Sequence, residues 1–149
     1  MVLSVSRRTD VPAFYFSWFL QRLREGYVRV RNPYNANQIS THLLNNDTID
    51  CIVFWSKDPE PLLANLNELD SFAYPYYILF TLNPYGPDVE PNLPPAERRI
   101  DTFIRLAEKI GEERIVWRYD PILWSTVFSS AFHEKQFSFL AESLSGYSS

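Results

Sequence analysis

The sequence predicts an α/β fold, about half of a TIM-type β/α barrel, with four parallel strands plus a hairpin-like excursion. Three observations predict it. Apolar runs with a β-branched and aromatic bias recur at Val2–Arg8, Ile52–Trp55, Tyr76–Leu82 and Arg114–Tyr119, the composition of strands buried on both faces. Each run meets Asp or Asn at its end, with Pro one or two places on: Asp10-Val11-Pro12, Asp58-Pro59, Asn83-Pro84 and Asp120-Pro121. Helical periodicity then follows, at once or after a loop. In such β/α units the strand C-terminal ends carry the chemistry.

The first strand, residues 2–8, alternates Ser4, Ser6 and Arg8 on one face with Leu3, Val5 and Arg7 on the other. Thr9 or Asp10 can cap the next helix, whose first turn tolerates Pro12. Its stripe is Tyr15, Trp18, Phe19, Arg22 and Leu23, and Gly26 stops it. Tyr27–Val30 and Ile39–Leu44 flank a turn-rich loop, 32–37, and read as a hairpin that could span the second strand position of a barrel. After the strand ending at Trp55, Glu60–Ser71 is helical, with Leu62, Leu63, Leu66 and Leu69 on one face. Tyr76–Leu82 follows, alternating Tyr77, Leu79, Thr81 and Asn83 against Ile78, Phe80 and Leu82. Asn83–Pro95 holds five of the eleven prolines and is a loop, of a length that is often functional in a compact domain. Ile100, Phe103, Ile104, Ala107 and Ile110 stripe the following helix, and Gly111 closes it. The last strand puts Val116, Arg118 and Asp120 on one face. A final helix, about Ser130–Ser145, turns Phe137, Leu140, Ala141 and Leu144 inward. His42 and His133 read as surface residues, because no metal-ligand spacing accompanies either.

At 149 residues and 46% hydrophobic content, residues 1–149 form a single domain large enough for a core. No apolar run reaches the length of a membrane span, about 18 residues. The N-terminus lacks a signal peptide's basic and apolar regions, and the one cysteine, Cys51, fits a reducing cytoplasm and excludes an internal disulfide. A net charge of −4 argues against general nucleic-acid binding. Arg7, Arg8, Arg29 and Arg31, interleaved with Tyr27 and Tyr34, carry what remains of that reading. Residues 1–40 nevertheless hold six arginines against Asp10 and Glu25, a local balance of +4.

No nucleophile–base pair, glycine-rich phosphate loop, HExxH or CxxC occurs. The candidates are instead the charged groups at strand ends. Asp before Pro is ordinary helix-start chemistry, but capping needs no cation, and Arg8, Lys57 and Arg118 each end an otherwise apolar strand. Side by side, they would converge at one mouth and hold a phosphate or carboxylate, with Asp10 or Asp120 orienting them or moving a proton. Ser6, Thr81 and Asn83, with Ser4, are candidate polar lining. The bland alternative is a structural ion-pair network at that mouth. No metal ligands are expected.

The runs SVSRRTDVPAFY, EGYVRVRNPYN, IVFWSKDP, YPYYILFTLNPYG and ERIVWRYDPIL resemble the N-terminal half of a bacterial family catalogued as domain of unknown function, number eighteen forty-eight. That resemblance implies a radical-SAM-like barrel enzyme whose full-length members carry a C-terminal cysteine cluster, an iron–sulfur cluster and S-adenosylmethionine. Cys51 lies in a predicted strand and is not one of those cysteines; a lone thiolate cannot hold a cubane cluster. The expectation is therefore a truncated member that keeps substrate-side residues and has no cofactor of its own. One alternative is a small-anion binding module without enzymatic activity, pairing as a homodimer through open sheet edges. Another is a non-functional fragment.

Overall fold

The computed structural model describes residues 1–6 and 8–148. Arg7, assigned above to the first strand and to a nucleic-acid surface, lies outside the described residues. Four strands make one parallel sheet: β1 (Val2–Val5), β4 (Cys51–Ser56), β5 (Tyr76–Thr81) and β6 (Ile115–Arg118), in the order β1-β4-β5-β6. Taken along the chain these are consecutive strands, each beside its predecessor, as in a β/α barrel. The register aligns Ser4 with Val53, Val53 with Tyr77, Leu79 with Val116, and Thr81 with Arg118.

The hairpin differs from expectation. β2 (Tyr27–Arg31) and β3 (Ile39–Leu43) pair antiparallel as a separate two-stranded sheet, and β4 takes the place beside β1. The reason is burial. Every residue of β2 and β3 is exposed or half-exposed, whereas β4 offers Ile52, Val53 and Phe54, all buried. Only the latter suits a strand packed on both faces.

Helices cover one face of the sheet. Phe16 and Phe19 of α2 (Phe16–Glu25) meet Phe54 edge-on, Phe103 of α5 (Ala96–Ile110) lies on Phe80, and Phe137 of α6 (Ser130–Leu144) stacks on Trp117. Leu62, Leu63, Leu66 and Leu69 join the same core. Their predicted helix is broken at Asn65 into α3 (Glu60–Ala64) and α4 (Leu66–Ser71). The Asn65 side chain donates to the Pro61 carbonyl, competing with the ladder at the break. The short α1 (Val11–Phe14) precedes α2, and the buried stripe there is Phe16, Phe19, Leu20 and Leu23. Tyr15 and Trp18, expected inward, are about half exposed. On the opposite face, Ser4 and Trp55 are exposed, and Tyr77, Leu79 and Val116 are half-buried. Val53, between Ser4 and Tyr77 on this face, is buried, so the face is open only in part.

His133, expected at the surface, is buried. Its Nδ1 pairs with the Tyr119 hydroxyl at 2.7 Å and its Nε2 with the Leu123 carbonyl at 2.8 Å, while Tyr85 and Trp124 pack edge-on against the ring. Both nitrogens are satisfied, so it is a structural rivet between α6 and the loop after β6. His42 is exposed, as expected.

A candidate anion site at the strand C-terminal rim

β1 ends at Val5 because Ser6 turns into the left-handed region, φ 86°, and its hydroxyl accepts from the Val11 N–H at 3.1 Å. Asp10 can thereby cap α1, with Oδ1 accepting from Ala13 N–H at 3.0 Å. Its Oδ2 accepts from the Ser56 hydroxyl at 3.0 Å and the Lys57 N–H at 2.8 Å. Asp10 thus bolts the end of β1 to the end of β4. Burial pushes its pKa up, against the pull of Lys57 N–H, Ser56 and Ala13 N–H.

The Lys57 ammonium runs inward to Glu90 of the proline-rich loop. Glu90 has 10% of its side chain exposed and faces Arg99 of α5, which has 1%. The closest approach of that second pair is 3.7 Å, too long for a hydrogen bond. Arg99 Nη2 donates to the Asn83 carbonyl at 3.1 Å, while its Nε and Nη1, and Glu90 Oε2, have no hydrogen-bond partner among the described residues. Burial lowers the Arg99 pKa, opposed by Glu90, Asp58 and Glu97. Asp58, close by, is raised by burial against the Glu60 N–H, Arg98 and Arg99.

Asn83 is 1% exposed and locks two strand ends together. Its amide donates to the Asp120 carbonyl at 2.9 Å and accepts from the Asp120 N–H at 3.0 Å. Tyr85 repeats the stitch on Pro121 and Leu123. Asp120 therefore starts no helix, unlike Asp10.

Arg118 lies on the more open face of the sheet. Its guanidinium sits 4.6 Å from the Trp55 ring centroid, reaching from β6 across β5 to β4, and donates to Asp120 at 2.8 Å. The Arg118 side chain is 30% exposed and that of Asp120 is 61% exposed. Thr81, its register partner on β5, has no hydrogen bond to its hydroxyl among the described residues. Arg8 stands apart, donating to the Arg31 carbonyl of the hairpin at 2.8 Å.

The structure thus does not gather the three predicted cations on one ligand: each has a different partner. Lys57, itself 34% exposed, joins the buried Glu90 and Arg99, Arg118 joins the exposed Asp120 over Trp55, and Arg8 joins the hairpin. Three residues escaped the sequence reading: Trp55, Glu90 and Arg99. Trp55 was legible from strand alternation, since it shares a face with Lys57. Arg99 was legible too, because it falls on the buried stripe of α5 with Thr102, Phe103, Leu106 and Ile110.

The model of one protein family, described as Domain of unknown function (DUF1848), matches residues 2–149. The chain belongs to this family. No curated protein and no solved structure matches it. For this DUF1848 chain, the residues present do not fit an iron–sulfur cluster. Cys51 is the sole thiol, and it opens β4 at the end opposite the rim. No three His, Cys, Asp or Glu side chains are grouped to hold a metal among the described residues. Nor is any helix long and apolar enough to cross a membrane among them.

Proposed function

We propose that the more open face of the sheet, at the strand C-terminal rim, binds a small molecule bearing a phosphate or carboxylate, with Arg118 as its main contact. The Arg118–Trp55 stack carries the reading. An indole beneath a guanidinium holds its plane while leaving edge N–H donors for a bidentate anion. The unengaged Thr81 hydroxyl adds a donor beside it. Lys57 contributes positive potential from the rim, and Asn83 and Ser6 fix the shapes of the turns that frame it. Asp120 competes for Arg118 in the empty site and orients it in the filled one; being exposed, it is also the group able to move a proton. Asp10, with both oxygens engaged, positions the Lys57 backbone. Arg8 belongs to the outer rim. Phosphorylated and carboxylated metabolites of a reducing cytoplasm are the matching ligand class.

Thermal melts in inorganic phosphate and in citrate, against chloride at equal ionic strength, test this. The wild type gains stability saturably with either anion and Arg118→Ala gains none. Equal responses of the two proteins would overturn the proposal.

The consecutive parallel strands, with polar groups gathered at their C-terminal ends, also favour a second reading. In it, this chain supplies the substrate side of a radical-SAM-like barrel enzyme and ligands outside these residues supply the cluster. Anaerobic reconstitution with iron and sulfide then leaves the 149-residue chain colourless; stoichiometric iron retention would contradict it.

A further inference from the structure

The two edges of the parallel sheet are finished differently. At β6, the Ser148 hydroxyl accepts from the Trp117 N–H at 3.2 Å and donates to the Ile115 carbonyl at 3.4 Å, covering the outward backbone groups. At β1 the Met1 amine and carbonyl bond the Thr48 carbonyl and the Asp50 N–H. Alternation then turns Leu3 and Val5 toward β4, and Val2 and Ser4 outward. No backbone bond reaches the outward groups of Val2 and Ser4 among the described residues.

Beside this edge lies a groove of about 160 Å³, walled by Leu3 and Val5 of β1, Trp18 and Arg22 of α2, and Val28 and Val30 of β2. It is below the roughly 300–1,000 Å³ of small-molecule sites and suits an aliphatic side chain or two. The Arg22 Nε is buried against it without a hydrogen-bond partner among the described residues. Arg8 and Arg31, joined at the hairpin, stand at the end of the groove where β1 and β2 finish, and neither forms an ion pair among the described residues.

We propose that the outer edge of β1 takes up one extended peptide strand, acidic and apolar by turns. The strand bonds the outward backbone of Val2 and Ser4 and sets an apolar side chain between α2 and β2. Its carboxylates, on the alternate face, meet Arg8 and Arg31 at the end of the groove. This is strand addition, in which main-chain bonds give affinity and alternate side chains give selectivity. A second copy of this chain is the poorer occupant, because pairing β1 with β1 would bring the unpaired Arg8 and Arg31 of two copies together.

The test uses three labelled synthetic peptides in fluorescence anisotropy: alternating valine and glutamate, alternating valine and lysine, and the first with N-methylated backbone amides. The glutamate peptide binds saturably, and the other two bind at least about tenfold more weakly. Ser4→Pro removes an outward N–H at an edge position where Pro is tolerated, so it lowers affinity about tenfold or more with its melt kept. If that variant does not fold, Val30→Glu, which places a charge on the exposed groove wall, must show the same loss. Equal binding of all three peptides, no binding of the first, or undiminished binding by the folded variant would overturn the proposal. So would concentration-dependent dimers that the glutamate peptide fails to dissociate.

Discussion

Two ion-pair systems stand on the same rim and differ in solvent. In the first, the carboxylate is buried: Glu90 of the proline-rich loop is 10% exposed and Arg99 1%, and Lys57, 34% exposed, reaches them from the rim. Arg118 and Asp120 lie in the open, spread over an indole. A buried charge must keep its counter-charge, so the first system is committed to the fold. An exposed pair is worth little and can exchange its partner for a ligand, so the second is available for function. Each is a cation–carboxylate system with a half-buried cation at the rim, and burial of the carboxylate, Glu90 against Asp120, decides the role.

The sharpest way to break this contrast is to remove the buried carboxylate. Glu90→Gln keeps the volume and strands two cations, and should cost about 3 kcal/mol or more in urea unfolding. A loss below about 1 kcal/mol would mean that the knot is wetter than its burial implies. Asp10→Asn comes next. The amide oxygen can still cap Ala13 N–H, but its NH₂ then faces the Lys57 N–H, for a cost of about 1–3 kcal/mol. An unchanged melting curve would free Asp10 from its bolting role. Arg118→Ala should be nearly neutral in the absence of anion, about 0–1 kcal/mol.

The smallest effect is in pH. Burial raises Asp10 and Asp58 above the ordinary 3.8, so each folded carboxyl holds its proton longer than the unfolded one. Their contribution is fully present below 3.8 and is lost as pH rises through the raised values. The stability gap between wild type and Asp10→Asn should therefore narrow as pH rises from below 3.8. A gap that widens reverses the sign and contradicts the assignment.

Much of the architecture was legible because strand composition and Asp/Asn-Pro punctuation are local signals. The four parallel strands, the proline loop and the Leu62–Leu69 face follow from them. The hairpin's separation from the sheet was not legible, since a two-residue alternation does not reveal which strand it will pair with. His133 misled because a satisfied buried histidine needs partners, Tyr119 and Leu123, that only the folded chain brings near. At the site, strand ends announced Arg8, Lys57 and Arg118, but not which of them would meet a buried carboxylate. That depended on Glu90, 33 residues beyond Lys57 in a loop without periodicity.

The most direct test is phosphate titration of arginine-labelled protein followed by NMR at the guanidinium Nε–H signals. The signal lost in Arg118→Ala should shift saturably with phosphate while that of Arg99 stays fixed. A moving Arg99 with a stationary Arg118 would contradict the division of the rim into a buried knot and an exposed, ligand-ready stack.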